Sequence, residues 1–362
     1  YEGNESINVA ISSVSDGAYE NGDQSIDFTI TEDDSAPTIT LATSASSIAE
    51  NSSDTVTLTA TTSTTSTLNI VVTLAVTGTG IEGTDYSAID ETITISAGST
   101  TGTKTFTITD DSVYEDDETV IVAISSVTNA SENGTQSVTT TITENESSPT
   151  VQISSSAASV YDNGSSLTIT ATSSQEADEA ITVVIGTAGT STEGTDYAAV
   201  SDVTISAGDT SNTATFTPTD DSSYEGNETA IIDIDSVSGS DASESGSQSV
   251  TLTITDNESA PTVALSTSAS SVAENGSALT LTATLSGATG ADVTVTLSVA
   301  GTGTSGTDYS SLSSITVSAG QTTGTTSFTP TDDSIYEGNE TAIIDINTVS
   351  GGSATESGTQ QV

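Results

Sequence analysis

The chain has 362 residues, 51 acidic side chains against a single Lys+Arg, a formal net charge of -50, and no His, Cys, Met or Trp. Without His or Cys there is no imidazole base, thiol nucleophile or structural zinc site, and a Ser/His/Asp relay cannot be assembled. With Lys104 as the one cationic side chain, nucleic acid and anionic membrane surfaces are repelled, and the charged partners that fit are cations.

In chain order, residues 1–36 read as the closing part of a module, because Tyr1-Glu2 repeats the end of a motif met again downstream. Over 37–148, Ser and Thr alternate with Val, Ile, Leu and Phe, as in Thr55-Val-Thr-Leu-Thr-Ala-Thr61. That period of two buries every second side chain and predicts half-buried strands. Together Ser and Thr make up roughly 38% of the chain, far above ordinary usage, and this patterning separates it from a disordered segment. Seven strands are expected, near 38–43, 55–61, 68–76, 89–96, 103–109, 118–127 and 136–143. Seven short antiparallel strands in one such stretch predict an all-β, immunoglobulin-like sandwich. No apolar run reaches the roughly 20 residues that span a bilayer, so this segment has no direct membrane insertion.

The same reading then recurs. Pro37, Pro149 and Pro261 stand 112 residues apart; Gly-Thr-Asp-Tyr recurs at Gly83–Tyr86, Gly194–Tyr197 and Gly306–Tyr309; Asp-Asp-Ser-x-Tyr-Glu recurs at Asp110–Glu115, Asp220–Glu225 and Asp332–Glu337. A repeat of that length is one independently folding domain, not a solenoid unit. The expected organisation is a partial module at 1–36, complete modules at 37–148 and 149–260, and a module lacking its last strand at 261–362. An odd strand number makes the chain enter at one end of a sandwich and leave at the other. The modules are therefore expected head to tail, each adding about 40 Å to a rod or beaded fibre. One alternative is a filament in which the missing last strand is supplied by residues 1–36 of a neighbouring copy.

Strand parity gathers the acids at one pole. The first-to-second, third-to-fourth and fifth-to-sixth turns and the exit from the last strand share an end, and they carry Glu50, Asp85, Asp110, Asp111, Glu115, Glu118, Glu144 and Glu146. The opposite turns, such as Ser96–Gly102, are largely uncharged. Two carboxylates 4 Å apart at an effective dielectric of about 20 repel by about 4 kcal/mol, which a divalent ion would reverse. Calcium fits best, taking six to eight oxygens in flexible geometry without His or Cys; magnesium demands a stricter octahedron. The competing reading is that Asp and Asn only shape turns, but Glu has no such preference and recurs here. Bound ions beside the exit to the next module would stiffen the joint.

These motifs resemble the Calx-beta domain family. Its pattern of Gly-x-Asp-Tyr, Asp-Asp-x-x-Tyr/Phe-Glu-x-x-Glu and a closing Thr-Ile-x-Asp-x-Asp matches Gly83–Tyr86, Asp110–Glu118 and Thr141–Glu146. The resemblance implies tandem seven-stranded sandwiches that bind calcium through these loops, in exchangers, integrin-associated proteins and large bacterial surface proteins. Carried to the other modules, the implied ligands are Asp162, Asp196, Asp220, Asp221, Glu225, Glu228, Asp256 and Glu258, then Glu274, Asp308, Asp332, Asp333, Glu337 and Glu340. The partial module keeps Glu32, Asp33 and Asp34. Asn145 and Asn257 replace acids of the closing segment, which implies weaker sites of about 0.1–1 mM, suited to the cell surface or extracellular space.

Other signals are weaker. Asn51, Asn163 and Asn275 sit in glycosylation-type triplets that turn chemistry also explains. Tyr114, Tyr224 and Tyr336 are expected to plug the ends of their own sandwiches. Paired carboxylates repeating in every module, with no Trp-lined cleft, argue against a glycosidase or any other enzyme. The expected role is a calcium-stiffened stalk or filament of a secreted or cell-surface protein, in adhesion, biofilm or fibre formation. Its partners are adjacent modules or neighbouring copies. A calcium-sensing or ligand-binding module is the alternative.

Overall fold

The computed structural model describes residues 1–362, which divide into two compact units: Tyr1–Pro149 with Gln175–Ala180, and Thr150–Ser174 with Ile181–Val362. The architecture is all-β, without a helix.

The first unit begins with a hairpin of β1 (Glu5–Ala10) and β2 (Ser25–Ile30), antiparallel from Glu5 opposite Ile30 to Ala10 opposite Ser25. Every residue of the two strands is exposed, including Ile7, Val9, Ile26 and Phe28. The sandwich follows, from β3 (Thr38–Thr43), β4 (Ser47–Ala49), β5 (Thr55–Thr62), β6 (Ile70–Gly78), β7 (Thr92–Ile95), β8 (Thr101–Thr107), β9 (Glu118–Thr128), β10 (Ser131–Glu132) and β11 (Ser137–Thr143). One sheet runs β10-β3-β5-β8 and the other β4-β11-β9-β6-β7. The Thr-x alternation works as a burial code, since in β5 Val56, Leu58 and Ala60 are buried while Thr55 and Thr61 face water. Ile39, Leu58, Ile70, Ile93, Ile95 and Phe106 meet between the sheets.

Seven strands fall where the alternation predicts them, but two more are present, and both pair in parallel: β4 with β11 and β10 with β3. The first strand changes sheets. Thr140 Oγ1 donates to the Ala45 carbonyl at 2.8 Å, and Ile48 drops into the core. The crossover covers an edge of the second sheet, which an antiparallel meander would leave open. A bulge after Thr73 leaves Ser125 as an extra residue in β9.

The second unit contains two sandwiches. In one, strands 150–155, 167–173, 211–216 and 243–244 face strands 159–161, 181–189, 203–205, 228–238 and 249–255. In the other, strands 262–267, 279–285, 323–328 and 355–356 face a three-stranded sheet of 293–301, 315–317 and 342–350. The Tyr of each Gly-Thr-Asp-Tyr motif is a core residue packed on a Phe: Tyr86 on Phe106 at 5.8 Å, Tyr197 on Phe216 at 4.9 Å, Tyr309 on Phe328 at 5.0 Å. That ring seats the loop which carries the neighbouring Asp at the pole.

Candidate metal centre

Four chain segments of the first sandwich converge: the β4–β5 turn, the β6–β7 loop, the β8–β9 loop and the residues after β11. They form two groups, Glu50 with Glu144 and Glu146, and Asp85 with Glu115 and Glu118. Each residue in a group offers an oxygen within 4.8 Å of the others. The groups adjoin, because the Glu115 amide donates to Glu144 Oε2 at 2.5 Å. The second unit repeats both: Asp162 with Asp256 and Glu258, and Asp196 with Glu225 and Glu228. A recess lined by Asp162, Asp196, Asp221, Glu225, Glu228 and Asp256 joins them. In the third sandwich Glu274, Asp333 and Glu337 gather, all exposed.

Each acid is placed by local backbone. The Ile81 amide donates to Asp85 Oδ2 at 2.5 Å, and the same bond holds Asp196 (from Thr192) and Asp308 (from Thr304, 2.6 Å). Gly78 precedes this loop at φ +131, and a Cβ there would strike the Thr119 carbonyl, so glycine alone allows the close pass at the rim. Asp111, Asp221 and Asp333 each accept the amide two residues on, from Val113, Ser223 and Ile335. At these three positions turn-making is therefore also part of the role.

The electrostatics split the acids into two kinds. Glu144 is held below the usual carboxylate range: burial raises it, but the amides of Glu146, Glu115 and Asn145 donate to it and prevail. Asp256 is lowered likewise by Gly226, Glu225 and Glu258. Glu32, accepting from Glu2, Asp34 and Gly3, falls to about 2. Their neighbours move the other way. Glu50 rises to about 7 through burial and the adjacent Glu144 and Glu115, and Glu115 to about 7 through burial and Asp85. Glu118 rises to about 8 through burial and a carboxyl–carboxyl hydrogen bond with Asp85. Glu146 rises to about 7, first through its hydrogen bond with Glu144. Glu228 and Glu258 rise to about 7, chiefly by burial. Glu337 and Glu340, although exposed, are raised, first by partial loss of solvent around the carboxyl and next by Asp308. With Lys104 paired to Asp90 at 2.5 Å, these sites have no side-chain cation, and the raised carboxyls are poised to take up a proton or a cation.

The geometry fits a hard divalent cation. Oxygens about 2.4 Å from one calcium lie at most about 4.8 Å apart, and the groups satisfy that limit. Glu50 and Asp85 are each 4% exposed, and Glu118 Oε2, Glu146 Oε2 and Glu258 Oε2 are buried where no N–H or hydroxyl donates to them, so that only a proton shared with the neighbouring Asp85, Glu144 or Asp256 carboxyl, or a cation, can satisfy them. Orphaned buried oxygens are costly unless something binds them.

Other predicted acids occupy the margins. Asp110 adds a smaller charge repulsion to Glu146, and Asp33, Asp34 and Asp332 stand exposed. Two contributors escaped the sequence reading. Asn257, which looked like a lost charge, donates to Asp162 (2.7 Å) and Asp220 (2.9 Å) and ties them together. Asp178, from the turn after residue 174, adds a negative charge beside Glu115 and Glu118; no motif marks it.

The Calx-beta domain model matches residues 32–146 and again 144–258, more than half of the chain. The chain belongs to the Calx-beta family. Over residues 260–361 the LapA domain model matches, where the repeat spacing predicts a further Calx-beta copy. No functionally curated relative matches. Among solved structures, the tandem domain pair CBD12 from CALX1.2 is 12% identical, with a TM-score of 0.28, covering 60% of this chain and 99% of its own. Invasin, a bacterial integrin-binding protein, is 16% identical at TM-score 0.29, covering 87% and 56%. The Escherichia coli adhesin FdeC is 15% identical at TM-score 0.24, covering 90% and 96%.

Proposed function

We propose that this Calx-beta chain is the calcium-stiffened repeat region of a secreted or cell-surface protein, a stalk or filament that holds an adhesive function away from its anchor. The carrying observation is the pole of the first two sandwiches, where largely buried carboxylates, three of them with an oxygen that no donor reaches, meet without a side-chain cation. Glu50, Glu144 and Glu146 would hold one ion, and Asp85, Glu115 and Glu118 another. Bound calcium supplies the positive charge that replaces the protons. Because Tyr114 of the ligand loop is hydrogen-bonded to Glu176 and Asp178 of the following repeat, fixing that loop stiffens the joint.

Titration calorimetry on the metal-stripped chain should show calcium binding at about 0.1–1 mM with far weaker magnesium binding; no heat with calcium overturns the reading. Changing Asp110 and Asp111 to Asn should increase bending seen by small-angle scattering in calcium while each sandwich stays folded. A second reading, strand exchange between copies, draws on the exposed apolar side chains of β1 and β2. It requires sedimentation to show concentration-dependent association.

A further inference from the structure

The Tyr of Asp-Asp-Ser-x-Tyr-Glu does not plug its own sandwich. In three copies it lies across the turn between the second and third of the seven expected strands of the repeat that follows, and Tyr114 and Tyr224 make a short parallel bridge there. Tyr1 accepts from the Thr67 amide at 3.0 Å and from Ser66 Oγ at 3.0 Å. Tyr114 donates its amide to the Glu176 carbonyl at 3.0 Å and accepts from Asp178 at 3.1 Å. Tyr224 accepts from the Gly290 amide at 3.1 Å, in the pairing of Ser223–Tyr224 with Ala288–Thr289.

The residue at the centre of each turn is small and buried, although turns face water by default: Ser66 is 4% exposed, Ala177 2% and Thr289 1%. A Cβ at Gly290 would come within 2.7 Å of Glu225 Oε1, so the turn also lies against the acid that follows the tyrosine. Tyr114 is 6% exposed, whereas Tyr336 is 96% exposed with Ile335 at 63%, and no turn faces it.

The geometry points to the Ile335-Tyr336 loop as a docking element, and to its occupant as the second-to-third-strand turn of a further module of this kind, one with a small residue at the turn centre. Each docked copy supplies a carbonyl acceptor from the tyrosine and an amide donor from the turn. Strand-type bridging of this sort carries register through main-chain bonds and specificity through the side chain at the crossing. The surface is thus read by backbone shape and a small-residue socket, independently of any ion.

The test is hydrogen exchange by mass spectrometry on the 362-residue chain and on an extended chain in which residues 251–362 are repeated in frame after Val362. In the original chain, peptides covering Tyr114 and Tyr224 should exchange slowly and those covering Tyr336 fast. In the extended chain exchange at Tyr336 should slow by about tenfold, while the new terminal tyrosine stays fast. Placing Pro at the appended copy of Gly290 removes the donor amide. It should restore fast exchange at Tyr336 while strands of the appended module remain protected. If Tyr336 exchanges equally fast in both chains although the appended module is protected, the proposal fails.

Discussion

The first and third sandwiches carry matching acids in three loops, at Glu50, Asp85 and Asp110–Glu118 and at Glu274, Asp308 and Asp332–Glu340, while Glu144 and Glu146 belong to the first alone within residues 37–148 and 261–362, and the two poles differ. Glu50 and Asp85 are almost fully buried in the first, while Glu274, Asp333 and Glu337 are all exposed in the third. The loop bearing Glu115 is pinned through Tyr114 to the Glu176–Asp178 turn, and the loop bearing Glu337 has no such turn against it. Burial of the carboxylates at the first pole thus goes with two features together, the docked Tyr114 loop and the Glu144–Glu146 segment that accepts the Glu115 amide. Buried acids with raised pKa values should gain more from an ion than exposed ones, because water already screens the latter.

The largest expected effect tests that inequality. In calcium at a hundredfold excess over Kd, each competent site adds about 2.7 kcal/mol to stability. The double variant Asp85→Asn with Glu118→Gln should abolish this gain in exchange protection of 118–128. Asp333→Asn with Glu337→Gln should remove less than half as much from 342–350. Equal losses would mean that docking does not tune the sites.

A second effect separates protons from calcium. Glu50, Glu115 and Glu146 near 7 and Glu118 near 8 lie above the ordinary 4.5. A folded pKa above the unfolded one makes the folded state the better proton binder. That stabilisation is full below about pH 4.5 and is lost as pH rises through 7 to 8. In chelator the melting temperature should therefore fall by roughly 5 °C between pH 5 and pH 8. In calcium the trend should flatten or reverse, since ligands must lose their protons to bind metal. Calorimetric melts at four pH values decide it, and a chelated protein that gains stability toward pH 8 contradicts the assignment.

Much of this was legible in the residues. Thr alternation in β5 and β8 fixed which side chains face in, and the repeats of Gly-Thr-Asp-Tyr and Asp-Asp-Ser-x-Tyr-Glu brought Asp85, Glu115 and Glu118 to one pole. The sheet change at Ser44–Ser47 was not legible, because a Ser-rich stretch carries no periodicity and only Ile48 marks its burial. Nor was the role of Tyr114. An isolated aromatic reads as core by default, and its true partner, Ala177, is an unremarkable residue more than sixty positions away in a turn with no motif. Asn257 misled for a related reason: counting charges misses an amide that holds two carboxylates in place.

The smallest expected effect compares the tyrosines directly. Tyr114→Ala removes a buried ring from a hydrogen-bonded bridge and should destabilise by about 1 kcal/mol, within the usual range for a partly supported contact. The backbone bonds to Glu176 and Asp178 survive the substitution, so the joint should loosen rather than open. Tyr336→Ala truncates a ring that is 96% exposed and should stay within about 0.5 kcal/mol. Denaturant melts of both variants, with exchange at residues 175–180 as the local readout, set the two side by side. A Tyr336→Ala cost matching that of Tyr114→Ala would place the ring's contribution inside its own sandwich, and the contrast between docked and undocked loops would then need another cause.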